Sequence, residues 1–306
     1  MLIANPIYDV VFKRMMENEK VAKFFIGTLL DETIESIEVQ PQEFTYTDAI
    51  AAIAVFRLDF IATITTALGE RKKVLIEIQK AKNFVDLVRF RSYLAEQYRA
   101  TDSVNGARVA LPITTIYVLG FNLPEIETPC LKVERSYKDM TNKQMLYTKS
   151  DFIERLTHDS YIVQVERITD RYQTRLDKLL SVFEQTNFAD TTKLTKEFLH
   201  NVDIEELKIA TDILHHAGTN PAEKKRLEDE QEAWRTIDVA MGGAREKLLE
   251  KDKLIQEKDQ ALTEQKRELT EKDQVLSEQQ RELTEKDQEL LALKQQMEAL
   301  KKQLGG

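Results

Sequence analysis

The sequence predicts an α/β domain followed by a long helical, coiled-coil-type tail, and three observations predict it. Runs rich in β-branched residues at 55–65, 73–80 and 111–121 are interleaved with stretches of helical periodicity. Leu68-Gly69-Glu70-Arg71 joins the first two runs as the turn of a hairpin. After Gly242-Gly243 the composition changes to a repeat of 14 residues, EKDQALTEQKRELT and its variants, almost free of Gly and Pro.

In chain order, Asn5-Pro6 is a cap-like start. Ile7, Val10, Val11 and Met15 follow at helical spacing and predict a first helix from there. Phe24, Phe25, Leu29 and Leu30 predict a second helix over 21–30, and 34–39 reads as a short strand. In the first hairpin strand Leu58, Phe60, Ala62 and Ile64 point one way, and Arg57, Asp59, Ile61 and Thr63 the other. In the second, Val74, Ile76 and Ile78 form the apolar face, while Leu75, Glu77 and Gln79 share the opposite one. A helix over 83–100 should turn Phe84, Leu87, Val88 and Leu94 inward. The nearly continuous apolar run at 111–121 reads as a buried central strand. Strands at 131–137 and 160–168 follow, with helices at 150–156, 171–185 and 204–216; Gly218 ends the last. Asn220-Pro221 is a cap and first-turn pair for another helix. The expected organisation is an α/β domain over 1–170, a helical extension over 171–243 and a heptad tail over 244–306.

In the tail Leu248, Ile255, Leu262, Leu269, Leu276, Leu283, Leu290 and Met297 fall seven apart. A helix from 244 to 304 would be roughly 90 Å long. A coiled coil needs a second apolar position per heptad. Here that position holds Asp259, Lys266, Asp273, Gln280 and Asp287. Two readings stay open: self-assembly through the seam, or a solvated helix held by charge pairs.

The net charge of −9 gives no global nucleic-acid signature. Between Arg71 and Arg108, however, nine basic residues face four acidic ones. Such a stretch is either a phosphate-holding patch or a solvated helix face. Cys130 is the single cysteine, which excludes an intrachain disulfide and a cysteine-rich zinc site. The start MLIANPIYDV lacks the pattern of a signal peptide, and no run approaches 18 apolar residues. A cytoplasmic protein without membrane partners is expected. The four histidines show no metal-ligand spacing with an acid.

The hairpin carries the chemistry. With its turn centred near Gly69, Asp59 lies across from residues 78–80, and Asp59, Glu77 and Gln79 cluster on one face. Two carboxylates and an amide carbonyl suit a hard divalent cation. By themselves, two acids on the polar face of a hairpin are more often simply solvated.

These residues resemble the PD-(D/E)XK nuclease superfamily, in its recombination-promoting (Rpn-like), transposase-related branch. The resemblance rests on Tyr8-Asp9-Val10-Val11-Phe12-Lys13, Arg57-Leu58-Asp59-Phe60, Leu75-Ile76-Glu77-Ile78-Gln79, Arg89-Phe90-Arg91-Ser92-Tyr93 and the apolar strand at 113–121, in that order. It covers about 5–168. It implies a restriction-endonuclease-like mixed sheet flanked by helices, and cleavage of DNA dependent on Mg²⁺ or Mn²⁺, associated with mobile elements or recombination. By the same resemblance Asp59 and Glu77 are the metal ligands and Gln79 stands at the usual Lys position. Asp9 is the accessory acid; Arg89, Arg91 and Lys82 are candidates for phosphate contact. The chain departs from the pattern at Leu58, where Pro is usual, and at Gln79, which has no cationic amine. The alternative is an inactive nuclease fold that binds DNA or protein and assembles as a homo-oligomer through its tail.

Overall fold

The computed structural model describes residues 1–40, 60–80, 84–104, 106–169, 171–189 and 191–236, with helical positions scattered between 258 and 297. The chain divides into two units, Met1–Trp234 and Arg235–Gly306.

In the first unit the strands are β1 (Leu2–Ala4), β2 (Ile34–Val39), β3 (Phe60–Thr66), β4 (Arg71–Gln79), β5 (Asp102–Val104), β6 (Ala107–Val109), β7 (Ile113–Leu119), β8 (Cys130–Val133), β9 (Tyr137–Lys138), β10 (Met145–Leu146), β11 (His158–Gln164) and β12 (Thr195–Glu197). The helices are α1 (Asp9–Met16), α2 (Glu19–Leu30), α3 (Phe84–Arg99), α4 (Asp151–Leu156), α5 (Arg175–Ser181) and α6 (Glu205–Thr219). A further helix, α7, is described over 221–236. The fold is α/β: one six-stranded mixed sheet, ordered β2-β3-β4-β7-β11-β8, flanked by helices. Its centre, β4-β7-β11, is parallel, and β2, β3 and β8 join antiparallel.

Strand parity explains the layers. Phe60, Ala62, Ile64, Val74, Ile76, Ile78, Ile116 and Val118 point to the face that packs against α1, α2, α5 and α6. Ile61, Leu75 and Ile113 point to the other face, where Phe90 and Tyr93 of α3 cover them. A strand covered on both sides reads as a continuous apolar run, which is how β7 reads.

Several expectations need correction. The first helix starts at Asp9, not at Asn5-Pro6, and Tyr8 is its N-cap. Asn5 instead braces a turn: its side chain donates to Gln185 Oε1 at 3.0 Å and to the Lys193 carbonyl at 3.1 Å. The inward face of α3 is Phe90 and Tyr93, with Leu94 beside them, whereas Leu87 and Val88 are exposed. Phe60 pairs with Ile76, which centres the hairpin on Leu68 rather than Gly69. Gly69 keeps its turn role at φ 79, a backbone conformation that glycine adopts without strain. Gly218 does not end its helix but lies inside the last turn of α6.

The segment set apart as a helical extension shares the core of the sheet domain. Leu179, Leu180, Phe183, Leu207 and Leu214 belong to the same apolar cluster as α1 and α2. β12 pairs antiparallel with β1.

In the second unit every described position is helical. Leu262, Leu269, Leu276, Leu283, Leu290 and Met297 are each between 50% and 64% exposed.

Candidate functional site

The candidate site lies at the C-terminal end of β4, beside β7. The parallel register sets Glu77 against Tyr117 and Gln79 against Leu119, and the Gly120 N–H donates to the Gln79 carbonyl at 2.7 Å. Gly120 lets the chain come close here: a Cβ would fall 2.7 Å from Ile7 Cδ1 and 3.1 Å from the Lys80 backbone, and both would have to shift.

Glu77 and Gln79 share the face turned toward α3, as their parity predicts. Glu77 is fully buried and Gln79 partly so. Glu77 lies close enough to Tyr117 to act on it. Burial chiefly raises the Tyr117 hydroxyl above its usual value, a Thr115 hydrogen bond opposes this, and the Glu77 charge adds to it. The Tyr117 ring packs on Phe90 with centroids 4.5 Å apart. Among the described residues Gln79 Nε2 is buried with no hydrogen-bond partner.

The other nominated residues are distributed as follows. Asp59 and Lys82 lie outside the described residues; Phe60, the chain neighbour of Asp59, pairs with Ile76, the neighbour of Glu77. Asp9 opens α1, whose apolar residues pack on the face opposite Glu77. Its Oδ2 accepts from Lys13 Nζ at 2.7 Å, and its Oδ1 is buried without a hydrogen-bond partner among the described residues. Arg91 is exposed on α3. Arg89 lies in the same helix, with its side chain outside the described set.

Four residues of the basic stretch are engaged by acids. Lys72 meets Glu32 at 2.6 Å, Lys73 meets Asp102 at 3.0 Å, Arg71 meets Glu38 at 3.7 Å, and Lys80 meets Glu230. Lys73 is buried and also donates to Gln97 Oε1 at 3.3 Å.

The histidines serve other ends. His158 Nδ1 hydrogen-bonds Tyr98 at 2.7 Å, and burial first, then Arg135, holds its imidazole below the usual value. His200 stacks on Tyr172, and His215 bonds the Leu2 carbonyl. Among the described residues no three His, Cys, Asp or Glu side chains gather as a metal group. Cys130 is half-buried, and burial pushes its thiol up to about 11.

Sequence reasoning missed the cluster around Lys80. Glu230 of α7 accepts from the Asp9 and Val10 backbone N–H groups at 3.0 Å each, from Lys80, and from Trp234 Nε1 at 3.2 Å. Lys80 Nζ lies 4.0 Å from the Tyr8 ring centroid and 5.0 Å from that of Trp234. The sole tryptophan in a charged helix was the one local sign that α7 docks on the domain.

Comparison with family models, curated proteins and solved structures finds no match. The reading of the site therefore stands on its residues. No helix among the described residues is long and apolar enough to cross a membrane.

Proposed function

We propose that the chain is a divalent-metal-dependent DNA endonuclease of the PD-(D/E)XK type, with its site at the C-terminal end of β4. The observation that carries the reading is Glu77. It is a fully buried carboxylate on a central strand, on the same face as a partly buried amide with an orphaned donor. The donor set is all oxygen: the carboxylates of Glu77 and Asp59 and the Gln79 side-chain carbonyl. Hard cations such as Mg²⁺ and Mn²⁺ take such ligands.

Asp59 and Glu77 would hold the ion. Bound there, it lowers the pKa of a water and neutralises charge on the attacked phosphate. Gln79 has no charge to offer and so orients water or phosphate oxygen through its amide. Arg89, Arg91 and Lys82 follow the hairpin in the chain and would meet the DNA backbone. The accessory role of Asp9 requires it to leave Lys13.

A second reading is a nuclease fold kept as a binding module, with the tail assembling copies of the chain. Two observations favour it: Gln79 replaces the expected Lys, and the adjacent Lys80 is engaged by Glu230.

Calorimetric titration of the purified protein with Mg²⁺ and Mn²⁺ tests the first reading. Saturable binding that Asp59→Asn removes is expected. A wild-type protein that binds neither cation moves the assignment to the binding module.

A further inference from the structure

The heptad tail carries a second period beside that of its leucines. The apolar stripe, Leu262 to Met297, repeats every seven residues. The position that completes the seam reads Asp259, Lys266, Asp273, Gln280, Asp287 and Lys294. Aspartate returns there every 14 residues, with Lys or Gln between. In the second unit Lys266, Gln280 and Lys294 are helical and exposed, as the stripe is. The three aspartates lie outside the described residues, and the sequence gives their place in the repeat.

Polar groups at this seam position select register and orientation more than they add stability. Two copies paired parallel and in register set Asp on Asp and Lys on Lys at every level, which is repulsive. An antiparallel pair aligned to bring Asp259 toward Lys294 sets Lys272 beside Lys286 on the flank, like charge again. Displacing one helix of a parallel pair by one heptad avoids both. Every apolar residue of the overlap still faces an apolar residue. Asp259 then lies across from Lys266 of the second copy, Lys266 from Asp273, Asp273 from Gln280, and Asp287 from Lys294. One like pair remains at the end of the seam, Lys294 with Lys301. Thr263, Thr270, Ser277 and Thr284 flank the stripe and carry no charge, so that flank opposes no displacement.

We infer that the tail pairs with the tail of a second copy, parallel and displaced by one heptad, with Asp across from Lys fixing the displacement. The two copies are then inequivalent, offset along the axis by roughly 10 Å at 1.5 Å per residue. The inference rests on the seam and is independent of the cation site.

The test uses the full chain with Cys130→Ser, so that an introduced thiol is the only one. A disulfide needs Cα atoms within about 7 Å, less than the offset. Leu262→Cys mixed with Leu269→Cys is expected to cross-link on oxidation. Leu262→Cys should not cross-link to itself, nor to Leu276→Cys. Sedimentation of the wild type and charge variants reads the pairing without cross-links. Lys266→Asp loses two opposite-charge contacts per dimer and should weaken dimerisation about tenfold or more. Adding Asp259→Lys and Asp273→Lys to it should restore the dimer, because the alternation returns with its signs reversed. The inference is overturned by a wild type that stays monomeric, or by Leu262→Cys cross-linking to itself, which shows an in-register pair. Cross-linking of Leu262→Cys to Lys294→Cys, the antiparallel partner, overturns it equally. So does Lys266→Asp that dimerises as well as the wild type, or a triple variant no better than Lys266→Asp.

Discussion

Lys73 and Lys196 lie almost wholly out of water, and each answers the cost of burial differently. Lys73 has Asp102 and Gln97. Lys196 has two backbone carbonyls, those of Ser181 at 3.1 Å and Glu184 at 2.5 Å, which follow from its place behind the C-terminus of α5. Burial lowers its amine to about 7, against a smaller opposing pull from the Glu184 carboxylate. A neutral amine still has two N–H groups for the two carbonyls. In the unfolded chain the ammonium keeps its proton up to about 10.4. The unfolded state therefore binds more protons across the interval from about 7 to 10.4, and folding stability should rise with pH there. Lys196→Met removes that rise and leaves two carbonyls unsatisfied, a loss of about 1–3 kcal/mol. Denaturant unfolding of both proteins at several pH values through the interval checks this; parallel pH profiles contradict it. None of these pairings was legible in the sequence. Lys73 reads there as one more member of a basic run, and its partners are set by the packing of β4, α3 and β5.

At the scale of elements, periodicity was legible wherever burial is one-sided or complete. β2 falls at 34–39 and β7 inside the apolar run at 111–121, as read. The errors sit where a distant partner decides. β1 and β12 are three residues each and exist because they pair with one another; no local pattern announces so short a strand. The start of α1 is set by Glu230, which satisfies its first N–H groups in place of a local cap. Gly218 has its own consequence. Replacing a helical glycine with alanine usually stabilises by about 1 kcal/mol. Here a Cβ would fall 2.9 Å from the Ala4 nitrogen and 3.2 Å from the Ile3 carbonyl carbon, both backbone atoms of β1. Overpacking of that kind costs about 1–3 kcal/mol. Gly218→Ala is therefore expected to lower the denaturation midpoint, and a rise in that midpoint would show that β1 yields freely.

For the whole molecule, the parity of the hairpin strands was enough to place Glu77 and Gln79 together, because a strand has a period of two whatever surrounds it. The electrostatic surface was not readable in the same way. Lys72, Lys73 and Lys80 find acids 40, 29 and 150 residues distant, and only the fold brings them together. Asp59, Lys82 and the Arg89 side chain lie outside the described residues, so the sequence remains their only witness. The tail makes a separate prediction. Its heptad residues are exposed on the single chain, and the domain core is complete within Met1–Trp234. Removing everything after Gly243 should leave thermal unfolding of the domain nearly unchanged and reduce any self-association in sedimentation. Full-length and truncated proteins of equal oligomeric state would show that the stripe is not an assembly seam.

The central claim is that Asp59 and Glu77 hold a catalytic cation, and plasmid nicking tests it most directly. Wild type, Asp59→Asn and Glu77→Gln are compared in Mg²⁺ and Mn²⁺, with thermal melts alongside. Two carboxylates that share a cation repel each other in its absence, so neutralising either should leave the metal-free protein equally or more stable. The account predicts metal-dependent nicking by the wild type, a loss of about a hundredfold or more in each variant, and melting temperatures no lower than wild type. Variants that nick as well as the wild type, or that melt lower with nothing else changed, would contradict it and make Glu77 a structural carboxylate.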